Sequence, residues 1–306
     1  MTKRDLLTIF DLSRNDVRHV VVRGGQLKEL QRRGECPKPL AGRSVALIFE
    51  KASTRTRVSF EVGVAQLGGQ PLVITAQGSQ MARGEPIKDT ARVFSRYVDC
   101  IMLRTFAQST LEELARWATV PVINGLSDRY HPCQVLSDLL TIQEETGRDP
   151  ADLVHAWVGD GNNMCHSWLA AAGVLGFELR IASPPGFRPD AMIVDRARAA
   201  GARVVLTADP VEAVEGAHVI NTDVWASMGQ ESEAASRRAL FAPYQVSSAL
   251  MGAAAPGAIF LHCLPAHRGE EVTDEVIESP ASRVWNQAEN RLHVQKAILE
   301  LLVTGR

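Results

Sequence analysis

The chain has 306 residues, enough for two ordinary cores of roughly 150 residues each. Its 45% hydrophobic and 22% charged content is that of a globular protein and excludes a disordered or fibrous chain. A formal charge of −2 gives no global field to attract nucleic acid or an anionic membrane, so any anion site must be a local cluster.

In chain order, "MTKRDLLTIFDLSRND" carries charges on both sides of a short apolar run, and no run approaches the ~18 residues of a membrane span. Neither a signal peptide nor a membrane anchor is expected. Short β-branched runs then alternate with helix-period segments, which predicts parallel α/β architecture. In the first half the strands are "SVALIF" (44–49), "QPLVI" (70–74), "CIMLRT" (100–105) and "PVIN" (121–124). Between them, helical spacing is kept by Val58, Val62 and Ala65, then Ala91, Phe94 and Ser95, then Leu111, Leu114 and Ala115. Leu136, Leu139 and Leu140 mark an amphipathic helix that crosses to the second half and stops at "GRDP". The rhythm resumes with "LVHAWVG" (153–159), "ELRIAS" (178–183), "RVVLT" (203–207), "HVINTDV" (218–224) and "AIFLHC" (258–263). The polar stretch 226–245 interrupts it with few core candidates and reads as a long loop of the kind that serves as a lid. "NQAENRLHVQKAILELL" closes the chain as a second long amphipathic helix.

The expected fold is α/β in two domains, each a mostly parallel sheet flanked by helices, joined by two interdomain helices. Residues 1–147 form the first, with the C-terminal helix of about 288–306 packing back onto it, and residues 148–287 form the second. Cys36, Cys100, Cys133, Cys165 and Cys263 are odd in number and scattered without a CxxC pair, the usage of reduced thiols in a cytoplasm.

Four clusters carry chemistry. After the first strand, "KASTRTR" lets Ser53 cap a helix whose free N–H groups and dipole suit an anion, with Thr54, Arg55 and Thr56 adding donors. A well-capped helix with a solvated basic face accounts for the same residues. Arg104 ends another strand, and His131 and Gln134 of "HPCQ" follow a third; ligands of open α/β sheets bind at these carboxyl ends. "VGDGNNMCHS" invites a dinucleotide reading that fails: the third glycine position is Met164, and Ser183 stands where a ribose-binding acid belongs. Asn163 and Asp223, both at strand ends, suit the charged groups of an amino acid instead. "HCLPAHRGEE" sets Cys263 at a strand end between His262 and His267, without the second ligand pair of a zinc site.

"STRTR", "MLRTF", "HPCQ", "DVWASMG" and "HCLP", in this order over nearly the whole chain, closely resemble the aspartate/ornithine carbamoyltransferase family, its ornithine-using branch in particular. The resemblance implies that domain one binds carbamoyl phosphate and domain two ornithine. It implies phosphate binding by Ser53, Thr54, Arg55 and Thr56, with Arg104 bridging phosphate and carbonyl. His131, Pro132, Cys133 and Gln134 would hold the carbamoyl group, with Cys263, Leu264 and Arg291 at the reacting end. Asn163, Asp223, Ser227 and Met228 match the ornithine positions. Gln80, in "QGSQMARGEP", matches a residue that enters the neighbouring subunit's site, which implies a homotrimer. Arg83 and "HCLP" stand where aspartate-using relatives carry lysine and a histidine–proline pair, and the "SMG" element fits a carboxylate-bearing acceptor better than putrescine. N-acylated ornithine, putrescine and a non-catalytic relative remain the alternatives. The expected reaction is direct attack by the amine, between the two domains, with Cys263, Arg104, His131 and Asp223 catalytic and Cys263 an orienting acceptor or base rather than a covalent nucleophile. Neither metal nor organic cofactor is expected. Closure of 226–245 over the site would make binding ordered, carbamoyl phosphate first.

Overall fold

The computed structural model describes residues 3–75, 84–226 and 234–305. Gln80, Arg83, Ser227 and Met228 lie outside the described residues. The chain forms two compact units, Met1–Leu140 with Glu289–Arg306, and Thr141–Ala288.

The first unit runs α1 (Arg14–Arg32), β1 (Ser44–Phe49), α2 (Thr54–Gln66), β2 (Gln70–Thr75), α3 (Ile87–Phe94), β3 (Cys100–Arg104), α4 (Gln108–Trp117), β4 (Val122–Leu126) and α5 (Pro132–Thr146). Within α5 the chain passes into the second unit. There it continues with β5 (Val154–Val158), α6 (Asn163–Leu175), β6 (Glu178–Ala182), α7 (Ala191–Ala200), β7 (Arg203–Thr207), α8 (Pro210–Val214) and β8 (Val219–Thr222). The remainder is α9 (Ala234–Phe241), α10 (Ser248–Gly252), β9 (Ile259–His262), α11 (Asp274–Ile277) and α12 (Val284–Thr304), which returns to the first unit at Glu289. The sheets are all-parallel, in the orders β2-β1-β3-β4 and β7-β6-β5-β8-β9. Central strands such as β3 are buried at every residue, whereas the edge strands β2 and β7 alternate. Helices cover both faces of a parallel sheet, so its inner strands read as unbroken apolar runs.

Three expectations are corrected. The inner face of α2 is Thr56, Phe60, Gly63 and Val64, while Val58 and Val62 stay 54% and 37% exposed and Ala65 is exposed too. Turning Thr56 inward fixes that face, and Gly63 lets α12 approach: a Cβ there would lie 3.3 Å from the Lys296 side chain. Both long helices are buried all round over much of their length, with the exposed face of α12 confined to its start at Trp285, Asn286 and Glu289. His131 through Ile142 are all buried, and the polar stripe of α12 turns inward to partners in the first unit. Glu300 meets Arg23 at 2.9 Å, Asn290 meets Lys28 at 2.7 Å, and Lys296 meets Gln31 at 2.8 Å. Finally, residues 234–244 are no loop. They form α9 and a 3-10 turn, fastened by Phe241 and Tyr244, which are 0% and 5% exposed. Trp225 stacks on Phe241 with ring centroids 5.9 Å apart.

Candidate active site

In the first unit, the register Phe49↔Arg104 and Arg104↔Leu126 brings the carboxyl ends of three strands level. Gly125 is skipped in that pairing, a bulge beside Arg104. A Cβ on it would lie 3.3 Å from the Leu103 carbonyl and 2.3 Å from Met102 Sδ, so glycine permits the close approach. Ser53 caps α2, its hydroxyl accepting from the Thr56 N–H at 3.3 Å. The other N–H groups of the first turn have no acceptor within the helix, and the dipole adds positive potential. Thr54 and Arg55 are exposed at this end, and Thr56 is buried.

Thr56 Oγ1 accepts from Arg104 Nη1 at 3.3 Å and Arg291 Nη2 at 3.0 Å, and Arg291 Nη1 donates to Gln134 Oε1 at 2.5 Å. Two guanidiniums, 6% and 4% exposed, therefore share one neutral hydroxyl. Two guanidiniums converging on one hydroxyl set a strong local positive potential, which suits an anion. His131, equally buried, is held well below the usual imidazole range by burial and by the charges of Arg291, Arg104 and Arg55. It is neutral near pH 7 and able to donate one hydrogen bond. The other cations of the opening cluster are engaged elsewhere. Lys51 Nζ sits 4.1 Å from the Phe106 ring centroid, and Arg57 pairs with Glu61 at 3.5 Å. Pro132 is the buried first residue of α5. The Cys133 thiol faces the core: it donates to the Asn124 carbonyl at 3.4 Å, and burial pushes it up to about 12.

In the second unit the strand order reverses between β5 and β8, and the groups of interest follow β5, β8 and β9 at their carboxyl ends. Asp223, 8% exposed, accepts from Asn162 Nδ2 at 2.9 Å, from the Val224 N–H at 2.9 Å and from Cys263 Sγ at 3.1 Å. Asn162 in turn caps α6 by accepting from the Met164 and Cys165 N–H groups. Asn163, expected to face the ligand, opens that helix and is partly buried. The glycine loop before it is filled by the chain itself. A Cβ on Gly161 would lie 2.2 Å from Pro189 N, and its N–H donates to the Phe187 carbonyl at 2.8 Å. Protein backbone thus takes the close approach that a pyrophosphate makes in dinucleotide-binding loops.

His262 shapes the turn carrying Cys263. Its Nδ1 accepts from the Leu264 N–H at 2.8 Å and its Nε2 faces Glu271 Oε1 at 3.1 Å. Leu264 takes a left-handed backbone, φ 59°, a costly conformation for a branched residue and one found at functional turns. Ligand atoms of Asp223, His262 and Cys263 lie within 4.8 Å of one another, a metal-like spacing. Both His262 nitrogens are already engaged, so the grouping is a carboxylate–thiol pair braced by a histidine. Arg237 of α9 donates to Asp160 Oδ2 at 3.1 Å and to the Trp225 carbonyl at 2.9 Å. Burial raises the Asp160 carboxyl to about 6 even though Arg237 opposes the shift.

Asn162, Asp160 and Arg237 join the site without standing out in the sequence. The adjacent asparagines of "DGNN" held the signal for the first: an N-cap preference decides which one turns back to Asp223.

Fold and site define a group-transfer enzyme of two α/β units, one with an anion cradle and the other with a carboxylate–thiol pair. Residues 4–144 match "Aspartate/ornithine carbamoyltransferase, carbamoyl-P binding domain", and residues 151–302 match the Asp/Orn binding domain of the same family. The chain is 55% identical over 301 residues to the ornithine carbamoyltransferase of Syntrophotalea carbinolica, covering 98% of this chain and 99% of that one. It is 53% identical over 303 residues to the anabolic enzyme of Pseudomonas aeruginosa, covering 99% and 98%. The ornithine carbamoyltransferase structure from Pyrococcus furiosus superposes with a TM-score of 0.95 at 50% identity, over 100% of this chain and 98% of that one. The chain belongs to the aspartate/ornithine carbamoyltransferase family.

Proposed function

We propose that the protein transfers the carbamoyl group of carbamoyl phosphate to the side-chain amine of L-ornithine, giving L-citrulline and phosphate. The observation that carries the choice of acceptor is the buried Asp223 carboxylate beside the Cys263 thiol. An anionic group held by three donors favours a cationic amine and repels an acceptor with a second carboxylate near its amine.

The first turn of α2 with Arg55 takes the phosphate, Arg104 spans phosphate and carbonyl oxygen, and Gln134, Arg291 and neutral His131 meet the carbamoyl end. Ornithine's ammonium must lose a proton to solvent before it attacks, which near pH 7 costs about 4 to 5 kcal/mol for a lysine-like pKa of ~10.4. Asp223 draws the cation in. The Cys263 hydrogen points to Asp223 Oδ1, so the sulfur offers lone pairs that align the amine, and no acyl-enzyme is needed. As the N–C bond forms, charge on the carbonyl oxygen is met by Arg104, His131 and Arg291. The C–O bond to phosphate then breaks, and the departing phosphate oxygen takes the remaining amine proton.

Asn163, Ser227 and Met228 complete the acceptor site in this reading, and Leu264 the donor site. Gln80 enters a neighbouring subunit's site in a homotrimer, and the enzyme serves arginine biosynthesis in the cytoplasm. The motif matches support the trimer, and the likeness to an enzyme named anabolic supports the pathway. Among the described residues, no helix is long and apolar enough to cross a membrane.

Steady-state assays with ornithine, N-acetylornithine, putrescine and aspartate test the acceptor. Ornithine should exceed each of the others by at least ~100-fold in kcat/KM, the scale of a lost charged contact or two. A preference for any other amine overturns the assignment.

A further inference from the structure

Asp138 lies one turn beyond Gln134 on α5, is 0% exposed, and accepts from Gln134 Nε2 at 2.9 Å. On its other side the same amide accepts, through Oε1, from Arg291 Nη1 at 2.5 Å. A guanidinium only donates and a carboxylate only accepts, so one orientation of the amide satisfies both neighbours. The reversed amide would set N–H against N–H at Arg291 and oxygen against oxygen at Asp138. With this orientation imposed, a further lone pair on Oε1 is available for an N–H of the carbamoyl group.

We infer that Asp138 is a positioning residue for carbamoyl transfer: it locks the Gln134 amide so that its carbonyl oxygen serves both Arg291 and the carbamoyl NH2. The inference rests on the carbamoyl-phosphate reading of this half-site. The lock extends through Arg291 to Thr56, and from Thr56 to Arg104, so one carboxylate orders a chain of four groups around the donor. Among the described residues of the first unit, Asp138 and Glu300 are the buried acids, and Glu300 is taken by Arg23.

Three variants separate orientation from simple packing. In Asp138→Asn the new amide oxygen still accepts from Gln134, and the KM for carbamoyl phosphate should stay within about fivefold of the parent. In Asp138→Leu the lock is gone, and that KM should rise about 10- to 100-fold, the scale of a charge-assisted hydrogen bond, with the ornithine KM within about twofold. Gln134→Glu alone sets two buried carboxylates together and should lose more. Adding Asp138→Asn to it supplies an N–H donor to one oxygen of the new Glu, leaves the other to Arg291, and should recover at least tenfold. Calorimetric titration with carbamoyl phosphate reads the same contrasts without turnover. Folded Asp138→Leu with parental affinity overturns the inference, as do equal losses in Asp138→Asn and Asp138→Leu, or no recovery in the double variant. If Asp138→Leu does not fold, the Asn variant and the double variant decide. Absence of turnover and of carbamoyl phosphate binding in the parent enzyme is a different result and overturns the functional reading itself.

Discussion

Arg55 and Arg57 are two residues apart on the same exposed turn, yet the structure gives them different work. Arg57 is committed to Glu61 across one helical turn, whereas Arg55 stands at the helix start where the free N–H groups and the dipole already favour an anion. Arg55→Ala should therefore raise the carbamoyl phosphate KM by about 10- to 100-fold, the cost of a charge-assisted contact, while Arg57→Ala stays within about twofold because an exposed pair is worth under ~1 kcal/mol. Steady-state kinetics at fixed ionic strength reads both. Equal losses in the two variants would return the stretch to a general basic patch. Cys263 and Asp223 were legible in the sequence because each follows a strand run directly. Asp138 and Asn162 were not, because their importance lies in what they orient, and a hydrogen bond to another side chain leaves no periodic trace.

At the scale of elements, the loop between β5 and α6 shows why glycine recurs without a nucleotide. Gly161→Ala would drive a Cβ into backbone at Arg188 and Pro189, 2.4 and 2.2 Å away, which no rotamer change relieves. The loop must shift, and with it Asn162 and its hold on Asp223. The ornithine KM should rise at least ~10-fold and the urea midpoint should fall, while carbamoyl phosphate affinity by calorimetry stays parental, since its proposed phosphate-binding residues belong to the first unit and the turn carrying Leu264 is not in this loop. Loss of carbamoyl phosphate binding instead would contradict the division of labour between the units. The strands were readable because parallel, doubly covered sheets demand continuous β-branched runs, and each of the nine strands among the described residues falls within its expected run to within two residues. Helix faces were less readable. The inner stripe of α2 is set by a polar residue, Thr56, and α12 buries charges whose partners are distant in sequence, as Arg23 is from Glu300. The 234–244 part misled because, of its large apolar residues, only Phe241 and Tyr244 are buried while Leu240 faces outward, enough to fasten a helix but not to produce a period.

For the whole molecule, buried histidines set the response to acid. His131 is held well below the ordinary imidazole range, His155 is lowered to about 4 and His293 to about 3, chiefly by burial. Below an unfolded value of ~6.5 the unfolded chain takes up protons that these native groups refuse, so stability falls as pH drops from ~6.5 toward 4. Asp160, raised to about 6, and Asp5, also raised, act in the opposite sense, but above pH 6 the histidines act with little opposition, and below it they are joined by His218 and Asp16, both lowered as well. Urea midpoints should decline steadily from pH 6.5 to 5, and Lys296, lowered to about 8 by burial, adds a shallow fall from pH 8 to 7; a midpoint that rises on acidification would contradict neutral burial of these rings. The proposed chemistry is direct transfer of the carbamoyl group to the side-chain nitrogen of ornithine. Single-turnover mixing of enzyme with 13C-labelled carbamoyl phosphate and ornithine, quenched in acid and read by mass spectrometry and 13C NMR, tests it most directly. The predicted result is label in the ureido carbon of citrulline from the earliest time points, with no labelled protein. Label that passes first through a carbamoylated Cys263, or never reaches citrulline, would contradict it.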